Sequence, residues 1–353
     1  MVKRSTCRRG IVMVLVVAAL LASGACTTPL PPIASVGDPV VGPNPEVPRN
    51  QGVNTSVIRY GPWTVPAATG PGHTEAGMIE NNFGLAARKP CDDCYVTSFS
   101  PQLKYPDGTI ANIDTGLWLH HWGLYTFGRV DPSCPAPYPT NLAGEHIFAG
   151  GNERSRALFP ANTGFRVQPG AIWTLVYDLM NVNTTPKDVV LEMTYEWVPA
   201  TRTGMYAAKA WVPDVSPVCT EGRVPGDTGQ YSRKRTLAVT VPGRLLGIGA
   251  HLHTVGTRLT LKDATTGQMI CDSKAHYGDP AFQEPPPGHH SQHSHGYQHL
   301  AAVDQCVGTG PDRPLAVLTQ GQQVEIEAFY DADAHPHDIS DGVMGSWFGF
   351  MLQ

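Results

Sequence analysis

The sequence predicts an all-β protein built from two antiparallel β-sandwich domains, jelly-roll-like, in tandem. The 353 residues include 37 glycines and 32 prolines spread along the chain, a composition that disfavours long helices. Short segments of alternating apolar and polar residues, separated by Gly/Pro turns, are typical of half-buried antiparallel strands. After the N-terminal region about 300 residues remain, which is the size of two ordinary domains.

Two segments show the alternation most clearly. Residues 189–198 read VVLEMTYEWV and residues 323–330 read QVEIEAFY. In the first we expect Leu191, Met193, Tyr195 and Trp197 on one face of the strand. Turn chemistry at residues 200–210 places the boundary between a first domain, 53–205, and a second domain, 206–353.

The N-terminus has the features of an export signal. Residues 1–25 combine four basic residues with an apolar run too short to span a bilayer and a small-residue stretch, as in a signal peptide. Cys26 follows at once, which predicts an acylated lipoprotein. Plain secretion stays open because Ser23 stands where leucine is usual, and Arg8-Arg9 also fits twin-arginine export. Residues 26–52 are Pro-rich and predict an extended tether.

The net charge and the expected location of the protein restrict the classes of partner that it can bind. Four of the 25 basic residues and none of the 30 acidic ones lie in the signal, so the mature chain carries a net charge of about −9 (21 basic minus 30 acidic). A negative, exported chain is not expected to bind nucleic acid. We expect an extracytoplasmic protein that touches a membrane only through Cys26 and acts on an unknown small-molecule or polymer substrate.

Cysteine usage fits an oxidising compartment. Six cysteines remain beyond Cys7 and Cys26, enough for three disulfides; they are Cys91, Cys94, Cys134, Cys219, Cys271 and Cys306. The C-x-x-C at 91–94 is read as a structural bridge, with a redox motif or half a zinc site as alternatives. We expect Cys271 to pair with Cys306 and leave the other pairings open.

Copper-type ligands occur at three places: His120-His121, His251-Leu252-His253 and Met344. Imidazole together with thioether indicates copper rather than a hard cation. In 246–253 the aliphatic residues alternate with Gly247, Gly249 and the two histidines, so a strand places both imidazoles on one face and Leu246 on the other. Such a pair can chelate one ion; the alternative is a pair of structural histidines.

These segments resemble the copper type II, ascorbate-dependent monooxygenases, represented by peptidylglycine α-hydroxylating and dopamine β-monooxygenases. The similarity lies in WLHHWGLYTF, in AHLHTVGTR and in SDGVMGSWFGFM, in that order along the chain. The longer pattern CDDCYVTSFSPQLKYPDGTIANIDTGLWLHH more closely resembles the stress up-regulated nodulin family. The likeness covers roughly residues 90–353 and implies two jelly rolls.

The resemblance also implies two separate coppers. A site of two histidines and a methionine, where a C–H bond is hydroxylated with O2, maps to His251, His253 and Met344. An electron-supplying site of three histidines maps to His120 and His121, which share one ion only if the strand bends or bulges. The third histidine is replaced by Leu179, for which Met180, Asp178 or His146 are the candidate substitutes.

Peptide amidation is not expected. The positions that hold the peptide carboxylate in the amidating enzymes carry Gly249 instead of arginine and Phe348 instead of tyrosine. A further His-rich tract at 289–299 is either a copper-capturing segment or a solvated loop. His335 and His337 belong either to the same metal-handling surface or to a turn.

Two functions follow from these residues. The first is an exported, copper-dependent, monooxygenase-like oxidoreductase that uses one or two copper ions, O2 and an external reductant such as ascorbate. The second is a non-catalytic cell-surface copper-binding or stress protein of the same fold. Motifs of serine hydrolases, P-loop enzymes, dinucleotide binders and H-E-x-x-H metalloproteases do not occur in the sequence.

Overall fold

Among the described residues, twenty β-strands and one 3-10 turn (Ile113–Thr115) account for the regular structure in the computed structural model. It describes residues 29–70, 76–133, 144–216, 226–253, 255–277, 300–335 and 342–353. The signal peptide, Cys26, Cys134, Cys219, the 289–299 tract and His337 lie outside these ranges. None of the described segments forms a helix long and apolar enough to cross a membrane.

The strands are short and follow one another with few long connections. In chain order they are β1 (Val40–Gly42), β2 (Asn54–Val65), β3 (Gly77–Ala87), β4 (Cys94–Lys104), β5 (Leu117–Thr126), β6 (Glu145–Gly151), β7 (Ala157–Leu158), β8 (Thr163–Val167), β9 (Trp173–Asn181), β10 (Lys187–Pro199), β11 (Tyr206–Trp211), β12 (Gln230–Ala238), β13 (Gly243–Leu252), β14 (Gly256–Asp263), β15 (Met269–Tyr277), β16 (Leu300–Val303), β17 (Gln305–Val307), β18 (Ala316–Leu318), β19 (Gln323–Asp331) and β20 (Gly345–Leu352).

The all-β prediction is confirmed, and the strands form three sheets. The largest has eleven strands, in the order β1-β17-β13-β20-β11-β8-β4-β10-β2, with β18 on β13 and β7 on β4. A four-stranded sheet runs β3-β9-β5-β6, and a five-stranded sheet runs β12-β19-β14-β15-β16. Apart from the short β8–β11 pair, which is parallel, the paired strands are antiparallel.

The alternation expected from the sequence is present in β10 and β19. In β19 every second residue from Val324 to Tyr330 is buried. In β10 the buried face continues through Tyr195, but a register shift against β4 between Glu196 and Trp197 then changes the phase. Val198 is therefore buried while Trp197 is half-buried, so the expected inward position of Trp197 was wrong because of this bulge.

Aromatic residues join the four-stranded sheet to one half of the large sheet. The Phe99 ring on β4 lies 5.2 Å from that of Phe148 on β6, and Trp63 on β2 stacks at 4.0 Å on Tyr177 of β9. The five-stranded sheet packs on the other half through a separate aliphatic core that includes Leu245, Ile248, Leu261, Ile326 and Trp347. Two sandwiches result, as expected for face-to-face sheets.

The two sandwiches share the eleven-stranded sheet. Phe159 and Phe350, from the first and second halves of the chain, have ring centroids 4.3 Å apart, and residues 31–353 form one compact unit. The division of the chain at residues 205 and 206 stays a prediction. Part of the expected tether belongs to the sheet, because Val40–Gly42 pairs with β17.

Two disulfides are present among the described cysteines. Cys271 and Cys306 are bridged, with Cα atoms 5.8 Å apart, and this is the pair expected from the sequence. The bridge joins β15 of the five-stranded sheet to β17 of the large sheet, so it ties the two layers of the second sandwich together. Cys91 and Cys94 form the second bridge.

Candidate metal centre

A bulge in β5 brings the adjacent histidines His120 and His121 into one site. The register between β5 and β9 shifts between Leu119 and His121. Adjacent residues of a regular strand point to opposite faces, and an extra residue at a bulge removes that restriction. The two imidazole rings consequently lie 4.2 Å apart, as the sequence analysis required for a shared ion.

The second histidine pair lies at the end of β13. Ile248, Ala250 and Leu252 are buried in the core of the second sandwich, and His251 alternates with them. Leu246 departs from the expected pattern. A bulge between Leu245 and Gly247 places Leu245 in the core instead, and Leu246 lines a cavity on the other side of the sheet.

Met344 comes from the segment that immediately precedes β20. Only 7% of the residue is exposed, and the Tyr330 hydroxyl donates a hydrogen bond to the Met344 carbonyl oxygen at 3.1 Å. This bond fixes the backbone from which the thioether projects.

The predicted ligands form one cluster rather than two separate sites. His121 Nε2 lies 2.9 Å from His253 Nε2 and 3.1 Å from Met344 Sδ. Ligand atoms of His120, His121 and His253 all lie within 4.8 Å of one another. The rings of His121 and His251 are 5.2 Å apart. The expected separation is not observed because β5, β13 and the segment before β20 direct these side chains into the same space between the sheets.

Asp178 orients His121. Its Oδ2 accepts a hydrogen bond from His121 Nδ1 at 3.1 Å, and its Oδ1 accepts one from the Asn81 backbone N–H at 2.6 Å. Asn81 has a φ of 49° at a register shift between β3 and β9. Asparagine tolerates this left-handed conformation better than most residues, so the shift in β3 aims a backbone donor at the carboxylate.

Glu153 orients His251 in the same way. Its Oε1 lies 3.0 Å from His251 Nδ1 and accepts a 3.0 Å hydrogen bond from the Gly151 N–H. The Glu153 side chain is 2% exposed. A buried carboxylate of the first half therefore holds a histidine of the second half.

The third anchor is a backbone carbonyl. His253 Nδ1 lies 3.4 Å from the Gly342 oxygen. In His121, His251 and His253 alike, Nδ1 faces an oxygen acceptor, so the tautomer that satisfies each anchor carries its proton on Nδ1. Nε2 then offers a lone pair, which is the arrangement found in metal-binding histidines.

Burial and charge act in opposite directions on the two β13 histidines. Burial, followed by the neighbouring histidines, holds the pKa of His253 well below its ordinary value. Burial also acts to lower the pKa of His251, but the charge and hydrogen bond of Glu153 outweigh it and the pKa is raised. His253 is thus neutral and ready to bind a cation at neutral pH.

The donor atoms fit copper. With the anchoring protons on Nδ1, the lone pair of His121 Nε2 lies 2.9 Å from His253 Nε2 and 3.1 Å from Met344 Sδ, which requires a cation or a shared proton between these donors. His251 Nε2 is buried and has no hydrogen-bond partner among the described residues. Imidazole and thioether together match Cu(I) better than a hard cation.

A cavity of about 560 Å³ adjoins the cluster. His121, His251 and Met344 form part of its wall, and the remainder is mostly apolar. The rings of Phe148 and Phe348, both in its wall, pack edge to face with centroids 5.5 Å apart. The metal centre therefore opens onto a space large enough for a small organic molecule.

The candidates for a third first-domain ligand lie elsewhere. Leu179 is fully buried, and Met180 is opposite Trp118 in the β5–β9 ladder. His146 Nδ1 contacts Asp131 Oδ2 and its ring lies 4.5 Å from that of Tyr125, in the cavity wall. Asp178 is a partner of His121 Nδ1 instead of a member of the donor cluster.

Residues in the later histidine-containing segments are partly described. His276 Nε2 lies 2.8 Å from Asp304 Oδ1, and His335 stacks on Tyr277 with ring centroids 3.5 Å apart.

Sequence reasoning missed Glu153 and the role of Gly342. Glu153 lies in the turn GNER, which carries no metal-site motif, and the backbone oxygen of Gly342 leaves no trace in a sequence.

Gly151 is expected to be essential for the centre. A Cβ there would lie 2.5 Å from His251 Cε1 and 2.7 Å from the His120 carbonyl oxygen. We expect Gly151→Ala to destabilise the fold by about 1–3 kcal/mol through overpacking and to weaken Cu(I) binding at least tenfold.

Gly150→Ala is the matched control, because its Cβ would meet Trp122 and Glu153 at 3.4 and 3.5 Å. Chemical unfolding and Cu(I) titration measure both effects; equal behaviour of the two variants would contradict the close approach.

The chain is similar to two fungal proteins named as copper-dependent oxygenases. It is 24% identical over 302 residues to Probable copper-dependent oxygenase M1 of Phoma sp. (strain ATCC 20986 / MF5453), covering 84% of this chain and 70% of that protein. It is 24% identical over 260 residues to Probable copper-dependent oxygenase clz3 of Cochliobolus lunatus, covering 72% and 76%.

The comparisons with family models and solved structures add little. No family model matches the chain. The structure of peptide-N(4)-(N-acetyl-β-D-glucosaminyl) asparagine amidase is similar with a TM-score of 0.40 and 12% identity, covering 85% of this chain and 96% of that one. The relationship shown is therefore a distant one, to proteins named as probable copper-dependent oxygenases.

Proposed function

We propose that the protein is an exported copper-dependent oxygenase that binds one tight copper at the cluster of His120, His121, His253 and Met344, with His251 beside it. The observation that carries the proposal is that His121 Nε2 lies about 3 Å from two other lone-pair donors, His253 Nε2 and Met344 Sδ, beside the organic-sized cavity. The similarity to proteins named as copper-dependent oxygenases supports it, and the disulfides support an oxidising compartment.

The reaction class is hydroxylation or related oxidation of a C–H bond. One atom of O2 enters the substrate and the other leaves as water, and a reductant such as ascorbate supplies the two electrons, with two protons taken up. Copper at the cluster would supply the redox chemistry by alternating between Cu(I) and Cu(II). The chain holds the imidazoles of His121 and His253 in one tautomer through their Nδ1 partners, buries His253 and Met344 and places the substrate in the cavity beside the cluster.

The first test is copper stoichiometry on the full chain, loaded anaerobically as Cu(I) in the presence of a competing chelator that strips weak sites. One tight copper per chain, followed by substrate-free oxygen use that depends on ascorbate, is the expected result. Two tight coppers would restore the two-site arrangement that the resemblance implies. No tight copper would overturn the proposal.

Met344 is expected to favour Cu(I) over Cu(II). Met344→Leu conserves volume, so the fold should lose less than about 1.5 kcal/mol, while the loss of the thioether should weaken Cu(I) binding about 10- to 100-fold with a smaller effect on Cu(II). Competition titrations of each oxidation state measure the difference. Unchanged Cu(I) affinity would remove Met344 from the site.

A non-catalytic copper-binding protein is the second candidate. The observation in its favour is that Leu179, where the electron-supplying site has its third histidine, is fully buried in the core. The part of the chain that the structure describes contains one histidine cluster of this kind. Tight copper binding without reductant-dependent oxygen use would favour this candidate. Export through a lipid anchor at Cys26 and membership of the stress up-regulated nodulin family stay predictions.

A further inference from the structure

We propose that the cavity beside the metal centre selects uncharged molecules with a largely apolar body and rejects anions. This inference names the substrate class of the proposed oxygenase and rests on that function. It follows from three features of the cavity wall: its aromatic face, its charges and its position against His251 and Met344.

Aromatic and aliphatic side chains form an apolar face of the cavity wall. Phe348 and Phe350 have ring centroids 5.8 Å apart, and Phe148 contacts both. Leu246 adds to this face because the bulge in β13 turns it away from the core. Burial of an aromatic or aliphatic body against such a wall stabilises a complex by about 25 cal/mol per Å² of apolar area removed from water.

The charges of the wall disfavour an anion. Glu153, Asp178 and Asp214 line the cavity together with one arginine, Arg235. Nη1 of the Arg235 guanidinium donates to the backbone oxygens of Asp214 and Ser216, which holds this cation against the protein backbone. Arg235 is the one lysine or arginine among the described wall residues, so three carboxylates against one guanidinium leave the wall with an excess of negative charge that opposes the entry of an anion.

Polar groups of the wall suit hydrogen bonding rather than ion pairing. Asp131 holds His146 through contacts to its backbone N–H and to its ring nitrogen Nδ1. The Tyr125 ring lies over Gly123, where a Cβ would approach its hydroxyl oxygen to 2.9 Å. These groups can orient a hydroxyl or carbonyl of a neutral substrate beside the centre.

Gly249 is a position at which the charge of the cavity wall can be changed by substitution. Gly249 lies in the wall, and the position carries no side chain that would fill the space or place a charge there. A Cβ at Gly249 would meet its nearest neighbour, Gln305 Cγ, at 3.2 Å, so a side chain can project from it after a small movement of Gln305.

A matched pair of fluorescent probes tests the inference on the full chain. N-phenyl-1-naphthylamine is neutral, and 8-anilino-1-naphthalenesulfonate has the same ring system with a sulfonate. We expect saturable binding of the neutral probe and at least tenfold weaker binding of the sulfonate. Phe348→Trp, which places a larger side chain in the cavity, should lower the affinity for the neutral probe at least fivefold. Phe83→Trp is the control, since Phe83 is 46% exposed on β3 and lies outside the cavity wall.

Gly249→Arg is an independent variant that should change the affinities for the two probes in opposite directions. The new cation should raise the affinity for the sulfonate probe at least fivefold and lower the affinity for the neutral probe. Equal affinity of wild type for the two probes, or a neutral-probe affinity that neither substitution changes, would overturn the inference. Cu(I) stoichiometry measured on the same samples distinguishes failure of the oxygenase function from failure of the selectivity. Preference for the neutral probe without tight copper would keep the selectivity and reject the oxygenase. Tight copper without that preference would reject the selectivity alone.

Discussion

His121→Ala is expected to abolish tight Cu(I) binding and, with it, reductant-dependent oxygen use. His121 Nε2 lies within about 3 Å of both other donor atoms, His253 Nε2 and Met344 Sδ. Its removal also leaves Asp178 without the imidazole that it orients. We expect Cu(I) affinity to fall at least 100-fold in a chelator competition. The fold should persist, because His121 lies at the cavity wall and outside the apolar cores.

His276→Ala is the matched control for this substitution. His276 is also a partly exposed histidine on a strand, and it also contacts a carboxylate, Asp304, at 2.8 Å. It is not a member of the donor cluster. Tight copper binding should survive His276→Ala. A His121→Ala protein that still binds one copper as tightly as wild type would show that the copper site lies elsewhere.

Glu153→Gln is expected to weaken copper binding up to about tenfold, less than the 10- to 100-fold that follows when the carboxylate partner of a metal-bound histidine is altered, because its partner His251 lies beside the copper ligands. The amide can still accept from the Gly151 N–H, so the turn should keep its shape. The charge that raises the pKa of His251 is lost, and burial then acts alone. In the copper-free protein the pKa of His251 should therefore fall, which histidine NMR measures.

Asp304→Asn is the control for the carboxylate change, since Asp304 contacts a histidine outside the centre. It should leave copper affinity unaltered. Wild-type copper affinity in Glu153→Gln would mean that Glu153 serves only the fold. A fall in affinity with the pKa of His251 unchanged would mean that the carboxylate acts on the site through the backbone of the turn.

The centre depends on the packing of the whole unit because its parts come from distant segments. His121 is 132 residues from His253 and 223 residues from Met344, and Glu153 is 98 residues from His251. Both anchoring carboxylates belong to the first half of the chain, whereas three of the five clustered side chains belong to the second. Copper binding and docking of the two halves should therefore stabilise each other.

Local patterns predicted much of the fold and several parts of the site. Period-two alternation identified β19 and most of β10, and it placed His251 opposite the aliphatic residues of β13. The requirement for a bulge at His120-His121 followed from the same rule and is met. The pattern failed at Trp197 and Leu246, because a bulge on a strand changes its phase without a recognisable residue signature.

The sequence by itself determined the strand character of the chain, the imidazole and thioether side chains of the candidate centre and the face of β13 on which His251 lies, since these depend on neighbours within one strand. The tertiary structure alone decided that the two predicted sites form one cluster, that Glu153 and Asp178 hold its histidines, and that Phe348 faces an apolar cavity beside it. The physical reason is that side-chain periodicity is fixed along each strand, whereas distances between strands depend on how the sheets pack.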